Sequence, residues 1–122
     1  MKATLLTVSM LAAAITGCAS KHEPGVTSDY RTQWTTVAAD TKTTTSAAQS
    51  VLEARELKNI ESSSTAIDGV ASGKTADGTK VSIDVKKKDA GSEVSVTVGK
   101  LGNPKLGAEM VKEIKTKAES SN

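Results

Sequence analysis

Lys80-Val81-Ser82-Ile83-Asp84-Val85-Lys86-Lys87-Lys88, followed after a short break by Glu93-Val94-Ser95-Val96-Thr97-Val98, is the stretch that decides the fold of this chain. Apolar and polar residues alternate in both runs. Successive side chains of a strand point to opposite faces, so each run predicts a strand with one apolar and one wet face. The connection Asp89-Ala90-Gly91-Ser92 predicts an antiparallel pair with Val85 opposite Val96, Ile83 opposite Val98 and Lys88 opposite Glu93.

Working toward the amino terminus, Asp77-Gly78 suits a two-residue hairpin turn, because both central positions of a type I′ turn take positive φ. Pairing Ala76 with Thr79 then sets Ser72 opposite Ile83 and Val70 opposite Val85, which turns Val70 inward. Lys58–Ser64 and Asp68–Thr75 are the weaker strands of this meander. Ile67 is out of phase with Val70, and a bulge or bend near Gly69 is expected. Tyr30 to Ala39, rich in Thr with Tyr, Trp and Val, reads as a further strand or as an early start of the following helix.

Asp40 or Thr41 can cap that helix, since a short oxygen-bearing side chain accepts from the free amides of the first turn. Thr44, Ala48, Val51, Leu52 and Arg55 fall at helical spacing. Threonines at 41, 43, 44 and 45 lower its intrinsic propensity, so it depends on packing. Beyond Val98, Gly99-Lys100-Leu101-Gly102-Asn103-Pro104 is a turn with Pro104 at the first position of a second helix. Leu106, Met110, Val111 and Ile114 form its apolar stripe. Lys112, Lys115 and Lys117 gather near its carboxyl end, where the helix dipole favours cations.

The expected fold class is α+β: an antiparallel meander of four to five strands with two helices packed on one face. The other face, carrying Ser82, Asp84, Lys86, Ser95 and Thr97, stays open to water or a partner. The expected organisation is a signal peptide over 1–17, a lipidated cysteine and flexible tether over 18–28, one domain over 29–117 and a frayed end over 118–122.

The first eighteen residues give an address. Lys2 supplies positive charge, Ala3 to Ile15 is mostly apolar, and Gly17 is the small residue a signal peptidase needs. An apolar helix of that length spans about 20 Å, short of the roughly 30 Å hydrocarbon core. The string Ile15-Thr16-Gly17-Cys18 resembles the lipobox of bacterial lipoproteins, with Ile15 where leucine is usual. That resemblance implies a diacylglycerol on the Cys18 sulfur, cleavage between Gly17 and Cys18, and acylation, palmitate included, at the new amino terminus. The alternative is an ordinary export signal with an incidental cysteine. Cys18 is the sole cysteine, so no internal disulfide can form, and lipidation would account for an otherwise free thiol in an exported chain. Ala19-Ser20, with no aspartate after the cysteine, implies by the same likeness the outer membrane, facing the periplasm, if the cell has two membranes.

From about Tyr30 to Ile114 the chain also resembles short bacterial lipoproteins grouped under a domain of unknown function. The likeness is carried by Ser46-Ala47-Ala48-Gln49-Ser50-Val51-Leu52, Asp68-Gly69, Thr75 to Ile83, and Val96-Thr97-Val98-Gly99-Lys100-Leu101-Gly102-Asn103. It implies a fold and an envelope location and brings no catalytic residues.

Composition argues against nucleic acid as a partner. Sixteen basic side chains against fourteen acidic leave the chain almost neutral once Lys2 is removed, and with no Phe, one Trp and one Tyr it lacks stacking platforms. No catalytic site is expected. His22, the only histidine, stands in the tether without further ligands, so no metal is expected, and no Gly-x-Ser-x-Gly elbow or cofactor motif occurs. Asp84 and Glu93 share the wet face beside Lys86 and Lys88 and read as surface ion pairs. Lys86 and Lys88 are the candidate partner contacts. The expected role is that of a noncatalytic envelope component docking a protein partner. A small lipid- or glycan-binding module is the alternative and requires a pocket between helices and sheet.

Overall fold

The computed structural model describes residues 26–29 and 31–121. Its elements run β1 (Thr27–Ser28), β2 (Thr32–Val37), α1 (Thr41–Ala54), β3 (Lys58–Ser64), β4 (Asp68–Lys74), β5 (Lys80–Lys88), β6 (Gly91–Val98) and α2 (Pro104–Ser120). The strands form one antiparallel sheet in the order β1-β2-β6-β5-β4-β3. Both helices lie on one face, α2 over β2 and β6 and α1 over β3, β4 and β5. The α+β class follows the sequence reading, but the sheet has six strands rather than four to five.

The additional strand falls within the segment expected to be tether. Thr27 pairs with Trp34 and Ser28 with Gln33, while Val26 is buried in the core. A two-residue strand has no periodicity to read. It is held instead by its turn, where Asp29 donates its amide to the Thr32 carbonyl at 2.9 Å and accepts from the Arg31 amide at 3.0 Å.

Val81, Ile83 and Val85 do share a buried face with Val94, Val96 and Val98, as their alternation requires. The register differs by two residues: Ile83 faces Val96, Val85 faces Val94 and Lys86 faces Glu93. The strands extend to Lys88 and Gly91, leaving a two-residue loop in which Asp89 takes φ 51°. An even shift keeps every side chain on its face.

The β4–β5 register differs by one residue, and there the consequence is an inversion. Ala71 faces Ile83 and Val70 faces Asp84, so Val70 is 49% exposed and Ala71 is buried. Asp77-Gly78 is not a two-residue turn. The Thr75 amide donates to the Thr79 carbonyl and the Gly78 amide to the Thr75 carbonyl, both at 2.9 Å, with only Gly78 at positive φ. This is a three-residue loop ending in a left-handed glycine. Asp77 accepts from the Thr75 hydroxyl and from the Thr79 amide, which fixes it.

The inward face of β4 is therefore Gly69-Ala71-Gly73, with Thr45 of α1 directly above Gly69 and Leu57 and Ile60 above Gly73. A Cβ on Gly69 would stand 2.0 Å from Thr45 Oγ1. No bulge forms near Gly69; the β4–β5 register is regular from Asp68 to Lys74. The irregularity lies in β3 between Lys58 and Glu61, where Asn59 takes φ 55°.

Asp40 caps α1 by accepting from the Thr43 amide at 2.7 Å, and this bond holds its carboxyl below the usual carboxylate range. Three of the threonines that weaken the helix face inward. Thr41 donates to the Thr65 carbonyl at 2.5 Å and Thr45 to the Thr41 carbonyl at 2.7 Å, so burial leaves neither hydroxyl without a partner. The core sealed by the two helices contains Leu52, Ile83, Met110 and Ile114, each contributing about 1.5–3 kcal/mol by burial. Asn103 caps α2, which runs to Ser120 rather than fraying from 118. Ala118 is fully buried, and Glu119 accepts from the Ala38 amide and from Lys115, both at 2.9 Å, tying the last turn to the end of β2.

Candidate functional site

Gly17, Cys18 and His22 lie outside the described residues. Lys86 and Lys88 lie on the open face at the end of β5, but carboxylates surround them. Lys86 is directly opposite Glu93 on one side and Asp68 on the other, and Lys88 Nζ is 3.5 Å from Glu93 Oε2. Asp84 stands between Ser95 and Val70, a row removed from Glu93. Among the described residues no group of three or more His, Cys, Asp or Glu could hold a metal ion. None of the described helices is long and apolar enough to cross a membrane.

The open face is largely polar, interrupted by Trp34 and Val70. One row crosses all six strands as Thr27, Trp34, Ser95, Asp84, Val70 and Ser63, set by the registers of the five strand pairs. It brings the single tryptophan, half-buried, onto the side away from the helices. The neighbouring row is tied by a 2.8 Å bond between the hydroxyls of Thr32 and Thr97.

At the opposite end of the sheet from Lys88, lysines gather in one row. Lys58 is opposite Lys74, and Lys74 is opposite Lys80, so three ammonium groups stand side by side on β3, β4 and β5. Lys74 and Lys80 line an open groove of about 910 Å³ together with Arg31, Ser82, Thr97 and the Gly99–Asn103 loop, which adds Lys100. Like charges directly opposite each other in a sheet repel, so the arrangement costs stability.

Among the carboxylates nearby, Glu61 lies opposite Ser72, one row from Lys74 on the same open face, and no ion pair joins it to these lysines among the described residues. Asp29 accepts from the Arg31 and Thr32 amides. Asp77 is held by the hydroxyl of Thr75 and by Thr79, which keep its carboxyl below the usual range. The loop also carries Leu101, 79% exposed between Gly99 and Gly102, both at positive φ. Gly99 anchors the loop by donating its amide to the Lys80 carbonyl at 2.8 Å.

Sequence reading missed this cluster because it depends on register. With Val70 turned inward, Lys74 faces the core; the one-residue shift returns it to the open face beside Lys58 and Lys80. Arg31 and Lys100 join only through the pairing of β2 with β6. The signal that could have found it was the recurrence of a cation at the end of each run: Lys58, Lys74, Lys80, Lys100.

The core between helices and sheet is shielded from solvent. Val81, Val96, Val111 and Leu52 have no exposed surface. A cleft of about 240 Å³ beside Arg55 is lined by Leu57, Val81, Leu106 and Met110 and so enters between β5 and α2. Arg55 is bound side-on by Glu113 at 2.6 and 3.0 Å, and this pairing raises its already high pKa. It joins the end of α1 to α2, as a structural clamp requires.

A scan of the chain against protein-family models finds no match, and a search of curated proteins finds none either.

Proposed function

We propose that this chain is a bacterial envelope lipoprotein, anchored through acylation of Cys18, whose domain docks a partner without catalysing a reaction. The address is carried by Ile15-Thr16-Gly17-Cys18. In this reading the domain faces the periplasm from the outer membrane and belongs with the short lipoproteins it resembles. The observation that carries the docking role is a surface six strands wide, largely polar and free of helices, with Trp34, Ser95 and Asp84 at its centre. The burial of Leu52, Ile83, Met110 and Ile114 between helices and sheet supports docking over enclosure of a lipid or glycan.

Fractionation of a Gram-negative host tests the anchor. The native chain is expected in the membrane fraction and labelled by palmitate, with Cys18→Ser released and unlabelled. Retention of Cys18→Ser with unchanged labelling defeats the lipoprotein reading. A photoreactive residue at Ser95, compared with one at Lys105 on α2, tests the docking face. Crosslinking to one envelope protein from Ser95 alone is expected; no such adduct, together with a lipid or glycan retained by the purified chain, favours the binding-module alternative.

A further inference from the structure

The cationic end of the sheet is built differently from a pocket for one soluble anion. Adjacent strands are about 4.8 Å apart, so Lys58, Lys74 and Lys80 are spread over about 10 Å along the sheet edge, with Arg31 and Lys100 beyond them. The groove is open, four of the five cations line it with Lys58 opposite Lys74 beside it, and they flank a surface instead of converging on a point. No ion pair joins any of the five to a carboxylate among the described residues. Leu101 projects from the same end, next to Lys100. An extended field of positive charge with one protruding apolar side chain is complementary to a plane of phosphates above hydrocarbon. A soluble acidic polymer would leave Leu101 exposed.

Chain length permits this orientation. Eight residues separate Cys18 from Val26, a reach of at most about 28 Å. From Val26 to Asp29, at the cationic end, β1 advances about 10 Å. An acyl chain on Cys18 and the cationic end can therefore meet the same membrane.

We infer that Arg31, Lys58, Lys74, Lys80 and Lys100 seat the domain on an anionic phospholipid surface, with Leu101 entering the headgroup region beside them. This rests on the lipoprotein reading for its biological setting, since only a membrane-tethered domain meets such a surface continuously. The seat fixes which end of the sheet faces the membrane and leaves the row through Trp34 and Ser95 accessible.

The test uses the purified, unacylated Cys18→Ser chain, so that the seat can fail without the anchor failing and the reverse. Co-sedimentation with vesicles of phosphatidylglycerol and phosphatidylcholine is compared with phosphatidylcholine alone. Binding is expected only to the anionic vesicles and is expected to weaken as salt rises. Replacing Lys74, Lys80 and Lys100 by Gln is expected to lower partitioning about fivefold for each lysine, on the order of a hundredfold together. Leu101→Ser lowers it further, whereas Lys74→Arg with Lys80→Arg retains it. Lys86→Gln with Lys88→Gln leaves it unchanged, because Asp68 and Glu93 already offset those charges. Urea midpoints of each variant separate loss of binding from loss of fold. Equal binding to both vesicle types, no binding to either, or an equal loss in the Lys86 and Lys88 variant overturns the inference. Saturable binding of inorganic phosphate or polyglutamate without vesicle binding also overturns it, by making the groove a site for soluble anions or acidic protein.

Discussion

Gly107 of α2 packs directly on the side chain of Gln33 in β2: a Cβ at 107 would stand 2.0 Å from Gln33 Oε1. Gln33 has no exposed surface, and its Nε2 donates to Ser28 Oγ at 3.0 Å and to the Asp29 carbonyl at 3.2 Å. One buried amide thus links β1, the turn after it, and the helix above. Its Oε1 has no hydrogen-bond partner, so the contact is one of shape and leaves the amide no slack.

Gly107→Ala should therefore destabilise the domain, because a methyl group forces Gln33 away from Ser28 and Asp29. Such overpacking costs about 1–3 kcal/mol, against the roughly 1 kcal/mol a helix gains from Gly to Ala. In a Gln33→Ala background the clash is gone and the same change should become stabilising. Urea unfolding of the four-member cycle measures this sign reversal; equal effects in both backgrounds would show that Gln33 and Gly107 do not couple.

Register makes a second prediction. Val70→Thr should change stability by less than about 0.5 kcal/mol, since Val70 is half exposed beside Asp84. Ala71→Leu should cost about 1–3 kcal/mol because α1 leaves no room above β4. Thermal melts of the two variants decide the matter, and the opposite ranking would restore the inward Val70.

Acid should loosen the junction where the end of β2, the start of α1 and the last turn of α2 meet. The carboxyls of Glu119 and Asp40 lie below their ordinary values of 4.5 and 3.8, lowered chiefly by the amides of Ala38 and Thr43 respectively. A depressed folded pKa contributes stability above the unfolded pKa and loses it as pH falls through the folded one. Stability should decline below about pH 4.5, and Glu119→Gln with Asp40→Asn should flatten that decline. Urea midpoints taken from pH 6 downward provide the check; an unchanged slope would sink the assignment.

Lysine repulsion across β4 and β5 should be measurable in the folded state. Lys74→Glu turns a like pair into an opposite pair with Lys80 and Lys58, and should raise stability by about 0.2–1 kcal/mol at low salt. The gain should shrink as salt is added. The same variant should lose affinity for anionic vesicles. A variant both less stable and fully lipid-binding would contradict the geometry on both counts.

The chain determined by itself whatever depends on local pattern. Alternation in β5 and β6 chose their inward faces, Asp40 and Pro104 marked the helix starts, and Ile15-Thr16-Gly17-Cys18 carries the proposed address, all within a few residues of chain. Only the tertiary structure decided how β4 lies against β5, since the Asp77-Gly78 dipeptide accepts either a two- or a three-residue loop. The close approach of Thr45 in α1 to Gly69, and of Leu57 and Ile60 to Gly73, selects the second. The same selection places Lys74 beside Lys58 and Lys80, and pairing of β2 with β6 adds Arg31 and Lys100 to that end. Faces are written in neighbouring residues, but the meeting of side chains from three strands and two connecting segments is set by packing over the whole sheet.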